Sequence, residues 1–211
     1  MSATAGPTAV NLIPVRMGEM AASRTKDDAF SVIGLGSCVA VILIAPERRA
    51  AALAHVVLPE QSMTGGREAP PGKFADTALP ALLAALRPFR VRPEDTYAVL
   101  VGGATMFGHT HSSKLAAVGE RNIEAARQQL VQHGIGIASE DVGGTIGRSV
   151  QVTINDLAVQ VRSGAADPVQ LKGSVRPLRA RPAGNAYDLR PEPNPKDVLN
   201  SGAAESKTRE G

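Results

Sequence analysis

The sequence predicts an α+β domain of packed mixed or antiparallel β-sheets flanked by at least two helices. Short runs of Val, Ile, Leu and Ala recur between turn residues, and two longer stretches space their apolar residues as helices do. Composition sets the kind of core: of 211 residues 43% are apolar, yet only 3% are aromatic and Trp is absent. Aliphatic side chains must therefore fill the interior. The length accommodates one domain with a tail.

Residues 1–9 are small and polar and read as a disordered N-terminus. Leu12-Ile13-Pro14-Val15 suits a short strand that Pro14 confines to an edge or a strand end. Residues 23–28 read as a loop, and Phe30 to Ile33 as a strand running into the turn Gly34-Leu35-Gly36-Ser37-Cys38. Two apolar runs, 39–44 and 50–58, flank Ala45-Pro46-Glu47-Arg48-Arg49 and predict an antiparallel hairpin. Residues 59–73 are a Gly- and Pro-rich loop. A helix is expected over 75–86 from Leu79, Leu82, Leu83 and Leu86, with Pro80 suggesting a start near Leu79. Tyr97 to Val101 reads as a buried strand and 106–117 as irregular. Residues 119–133 form the clearest helix, with Ile123, Ala126 and Leu130 on one face and Gly134 just past its end. A strand over 135–141 follows, then a hairpin of 148–154 with 157–162 across Asn155-Asp156. From 163 onward the chain is crowded with Pro, Arg and Gly. The folded domain is accordingly expected over 10–162 and a disordered tail over 163–211.

Several function classes are excluded or disfavoured. A single cysteine, Cys38, rules out an internal disulfide framework and a cysteine-rich zinc site, and fits a reducing cytosol. Neither a signal pattern nor a membrane-spanning apolar stretch is present, which predicts a cytoplasmic protein without membrane insertion. The pI of 9.3 invites a nucleic-acid reading. Residues 1–162 nevertheless carry 15 Lys and Arg against 14 Asp and Glu, with no basic stripe interleaved with aromatics, so nucleic acid is not an expected partner.

The candidate chemistry gathers on the hairpin. With its turn centred between Pro46 and Glu47, Cys38 stands directly opposite His55. Pairing shifted by two residues makes them diagonal neighbours on the same face, and a one-residue shift sends them to opposite faces. A thiol within reach of an imidazole is the minimum for a cysteine nucleophile and its base, and an imidazolium beside the thiol would supply thiolate. Gly34 and Gly36 allow backbone conformations in which the amides around Gly36, Ser37 and Cys38 converge on an oxyanion. No third group is evident from the residues; Ser31, Ser37 and Thr64 are the nearby hydroxyls. His109 and His111 lack a third ligand at metal-site spacing, so no metal is expected. The loop 143–148 lacks the following helix of a phosphate-binding loop and reads as a turn. No cofactor is called for.

Six blocks in order resemble the chemoreceptor glutamine deamidase family of bacterial chemotaxis, CheD: GLGSCVAV at 34–41, AHVVLP at 54–59, KFADTALPALL at 73–83, GGATMF at 102–107, GERNIEAARQQL at 119–130 and EDVGGTIGRSV at 140–150. The resemblance implies a fold similar to the catalytic domain of deamidating bacterial toxins. It implies Cys38 as nucleophile and His55 as base in a protein-glutamine glutaminase that forms a thioester and releases ammonia. The substrates would be glutamines on the cytoplasmic helices of chemoreceptors, methylesterase action is also attributed to the family, and a CheC-type phosphatase is the implied partner. In the family a threonine six residues before the cysteine is the third catalytic residue. Val32 stands there, and Ser31 beside it would face the other way on a strand. The rival reading is a non-catalytic chemotaxis adaptor that binds receptors or the phosphatase.

Overall fold

The computed structural model describes residues 10–64, 68–105 and 113–171. Among these, ten strands make two five-stranded sheets. The strands are β1 (Asn11–Pro14), β2 (Met20–Ser23), β3 (Asp28–Leu35), β4 (Val39–Ala45), β5 (Ala50–Val56), β6 (Tyr97–Gly102), β7 (Gly136–Val142), β8 (Arg148–Thr153), β9 (Val159–Ser163) and β10 (Val169–Leu171). One sheet has the order β1-β3-β8-β9-β10 and the other β2-β5-β4-β6-β7. Both are mixed, because β1 runs parallel to β3 and β6 parallel to β7 while the remaining pairs are antiparallel. Two helices, α1 (Ala75–Leu86) and α2 (Ser113–Gln132), complete the α+β architecture that the apolar patterns predict.

Two apolar layers hold these elements. Phe30, Val32 and Leu35 of β3, with Val150, Val152, Val159 and Val161 of β8 and β9, pack against Ala40, Ile42, Ile44, Ala51 and Leu53 of the hairpin. The hairpin's opposite face (Val39, Val41, Leu43, Ala52, Ala54, Val56) packs under Leu79, Leu82 and Leu86 of α1 and Ile123, Ala126 and Leu130 of α2. Every residue of β4 and β5 is consequently buried, which is why these runs are apolar throughout except at His55. β8 faces the interior on one side only, and its residues alternate.

Several boundaries differ from expectation, each for a physical reason. α1 begins at Ala75 and runs through Pro80, which is exposed. An interior proline costs about 3 kcal/mol of helix propensity. Burying three leucines at roughly 1.5–3 kcal/mol each outweighs it. α2 starts at Ser113, inside the stretch read as irregular; the rest of that stretch, 106–112, lies outside the described residues, with His109 and His111 in it. β2 ends on Ser23, where the stretch read as a loop begins, and pairs antiparallel with β5. Val159, Gln160 and Val161 of β9 are covered by Leu171, Gln170 and Val169 of β10, so the ladder continues past the expected domain end at 162. The N-terminal residues 1–9 and the tail from 172 lie outside the described residues.

Candidate active site

The hairpin register is the shifted one. Ala45 pairs with Ala50 and Ala40 with His55, which puts the turn centre between Glu47 and Arg48 and not before Glu47. Pro46–Arg48 form a 3-10 turn closed by the Arg49 amide on the Pro46 carbonyl, with Arg49 at a left-handed φ of 49°, and this longer turn moves the pairing by two residues. Cys38 and His55 are thus diagonal neighbours, not direct opposites. Diagonal pairs on one face have Cα atoms about 7–8 Å apart and Cβ atoms somewhat closer. Cys38, just before β4, is half-buried against the layer between the sheets; His55 follows Ala51 and Leu53 on the same inner side of β5 and is only 4% exposed.

The turn that carries Cys38 is held through three successive carbonyls. The Gly36 carbonyl accepts from the Ala104 amide at 2.7 Å, the Ser37 carbonyl from Asn122 Nδ2 at 2.8 Å, and the Cys38 carbonyl from the Gly103 amide at 2.7 Å. The approach is close enough that a Cβ on Gly102 (φ 115°) would overlap the Cys38 carbonyl. Gly34 takes a positive φ of 78°, whereas Gly36 does not, so only the first of the two glycines is there for its left-handed conformation. Among the described residues, the Ser37 and Cys38 amides donate to no other backbone group.

His55 is oriented by backbone. Its Nδ1 lies 3.3 Å from the Val15 carbonyl, and because a carbonyl only accepts, Nδ1 carries the proton. The segment from Val15 to Glu19 crosses from β1 in one sheet to β2 in the other. It is fastened at one end by the Val15 amide to the Ser31 carbonyl (2.8 Å). At the other end Gly18 donates to the His55 carbonyl (2.9 Å), and the His55 amide donates to the Glu19 carbonyl (3.0 Å). Nε2 is buried and has no hydrogen-bond partner among the described residues. It is the ring nitrogen with a free lone pair, as a base requires.

Burial lowers the His55 pKa below the usual histidine value, opposed in part by the Val15 hydrogen bond and the Glu19 carboxylate. Burial also raises the Cys38 thiol. Both shifts favour neutral partners, so the resting pair is thiol and imidazole and not the thiolate–imidazolium pair that the side-chain types suggest.

The other candidates separate clearly. Val32 points into the inter-sheet layer at 1% exposure. Ser31 is half-buried on the alternate side of β3, and the irregularity in that strand's pairing with β8 lies after Val32, so it does not turn Ser31 inward. Thr64 closes a short 3-10 turn, and its side chain lies outside the described residues. The loop 143–148 is filled by its own arginine: Arg148 donates to Asp141 at 2.8 and 3.1 Å, to the Ile146 carbonyl at 3.1 Å and to the Gly143 carbonyl. No group of three potential metal ligands occurs among the described residues, nor a helix long and apolar enough to cross a membrane.

Two contributors escape a sequence reading. The Val15 carbonyl is a backbone group and leaves no trace in residue type. Asn122 does leave one: it shares the stripe of Ala126 and Leu130 on α2, a polar residue at a core position, and it is fully buried.

Fold and site together define a two-sheet α+β domain with a thiol and a backbone-tethered imidazole on one inner face. The family model described as CheD chemotactic sensory transduction matches residues 57–163, a span that begins two residues after His55. The chain is 43% identical over 140 residues to the probable chemoreceptor glutamine deamidase CheD of Symbiobacterium thermophilum, covering 66% of this chain and 85% of that protein. It is 39% identical over 141 residues to the chemoreceptor glutamine deamidase CheD of Thermotoga maritima, covering 66% and 85%. Among solved structures, the Bacillus licheniformis hypothetical protein YfiH aligns with a TM-score of 0.41 at 14% identity, over 65% of this chain and 61% of that one. The chain belongs to the CheD family.

Proposed function

We propose that this protein is a chemoreceptor glutamine deamidase in which Cys38 is the nucleophile and His55 the base. One observation carries the mechanism: His55 Nδ1 is committed to the Val15 carbonyl, which leaves the Nε2 lone pair on the face that Cys38 shares. The names of the related proteins supply the substrate class, glutamines of chemoreceptors; the family likeness suggests those on the receptors' cytoplasmic helices, and with them a cytoplasmic site of action.

The reaction starts from the neutral pair. As Sγ attacks the side-chain carboxamide carbon, the thiol proton passes to Nε2, and the developing oxyanion accepts from the Ser37 and Cys38 amides. One such donor typically contributes about 3–4 kcal/mol to the transition state. The carbon–nitrogen bond then breaks while Nε2 returns its proton to the leaving nitrogen, and ammonia departs. Water, deprotonated by Nε2, attacks the thioester; the carbon–sulfur bond breaks, and Sγ recovers the proton. Glutamate is left on the receptor. A receptor glutamyl methyl ester would follow the same course with methanol as the leaving group, and a CheC-type phosphatase is the regulatory partner that the family likeness suggests.

Val32 supports the rival reading of a receptor-binding adaptor, because a threonine hydroxyl expected at that place is missing. One assay divides the two. Receptor cytoplasmic fragment is incubated with wild type and with Cys38→Ala, and glutamine-to-glutamate conversion is followed by peptide mass spectrometry. Conversion by wild type alone is expected. Receptor binding without conversion by wild type would refute the enzyme and leave the adaptor.

A further inference from the structure

We infer that Asn122 is a positioning residue for Cys38, setting the thiol against His55; the inference rests on the deamidase reading of this pair. Asn122 Nδ2 donates to the Ser37 carbonyl at 2.8 Å and to the Val57 carbonyl at 2.9 Å. Ser37 precedes the nucleophile, and Val57 lies two residues beyond the base, across the hairpin from Cys38 in the observed register. A single amide group therefore ties the loop bearing the thiol to the strand bearing the imidazole.

Chemistry fixes the orientation of that amide. Both neighbours are acceptors, so the side chain must present its NH2 to them, and both protons are used. Oδ1 is left buried with no partner among the described residues. For stability alone this is a poor use of a core position, since an orphaned buried acceptor works against folding where an apolar side chain would not. The benefit lies in where the two bonds go. α2 comes near enough to make them because Gly119, one turn earlier, has no side chain: a Cβ there would collide with the Gly103 carbonyl.

The lone cysteine makes the test direct, because its alkylation by iodoacetamide reads the thiol without any receptor. In folded Asn122→Leu, kcat for deamidation is expected to fall about tenfold or more with KM within about threefold, the scale of losing one or two hydrogen bonds. Its alkylation pH profile should move onto that of His55→Gln. Asn122→Asp keeps the shape but offers one donor when protonated and none when ionised, so its kcat relative to wild type should fall as pH rises. A folded Asn122→Leu with wild-type kcat and alkylation profile would overturn the inference. So would variants that lose only melting temperature, or that fail to fold, since either assigns Asn122 to stability. A wild type that does not deamidate would sink the enzyme reading, while the alkylation profile would still report whether Asn122 governs the thiol.

Discussion

Val32→Thr is expected to lower stability and to leave the deamidation rate nearly unchanged. Val32 is 1% exposed among the aliphatic side chains between the sheets. Threonine fills almost the same volume but buries a hydroxyl there, at a cost of roughly 1–3 kcal/mol when it lacks a partner. About 2 kcal/mol corresponds to a melting-temperature loss of about 4–8 °C in a chain of this size. A gain in rate would need the hydroxyl to orient the imidazole. Nδ1 already donates to the Val15 carbonyl, and occupying Nε2 would compete with Cys38. The rate should accordingly stay within about threefold of wild type, less than a fully effective new hydrogen bond at about 1.5 kcal/mol would give. The assay pairs thermal melting with single-turnover deamidation of receptor fragment read by peptide mass spectrometry. A rate increase of about tenfold or more at unchanged melting temperature would refute the assignment of Val15 as the orienting group.

Other outcomes follow from the same geometry. Because burial lowers the His55 pKa, its contribution to stability is complete above the unfolded histidine value and is lost as pH falls below it; His55→Gln should remove that acid-side loss from urea titrations. Burial raises the Cys38 thiol, so its contribution is present below the unfolded thiol value and is lost as pH rises above it, a loss absent in Cys38→Ala. Gly119→Ala should displace α2 from the Gly103 carbonyl, costing about 1–3 kcal/mol in urea unfolding and lowering kcat by shifting Asn122. Arg148→Ala leaves Asp141 and two loop carbonyls without their donor and should cost about 2–3 kcal/mol, less than a fully buried pair because Asp141 keeps some solvent contact. Equilibrium unfolding measures it.

Much of the architecture is legible in residue order, because burial leaves periodic marks. β8 alternates because one face meets water, the 75–86 helix shows its leucine stripe, and the hairpin runs are apolar but for His55 because both faces are covered. Pro14 ends an edge strand, as its missing N–H requires. Residue order misleads where long-range packing overrides a local signal, as at Pro80, or where a short strand is held by its partner, β2 by β5 far along the chain and β10 by the adjacent β9.

The candidate site divides along the same line. Residue types alone single out one cysteine and a histidine on an apolar strand; the family likeness adds that Val32 stands in place of a threonine. The hairpin register also follows from local sequence, but only to within the length of its turn. Everything that prepares the pair for chemistry comes from contacts between segments far apart in the chain. The Val15 carbonyl selects the His55 tautomer, Ala104, Asn122 and Gly103 hold three carbonyls of the cysteine turn, and burial between two sheets keeps thiol and imidazole neutral. Backbone carbonyls are the same in every residue and desolvation belongs to the packed whole, so neither can be read until the chain has folded.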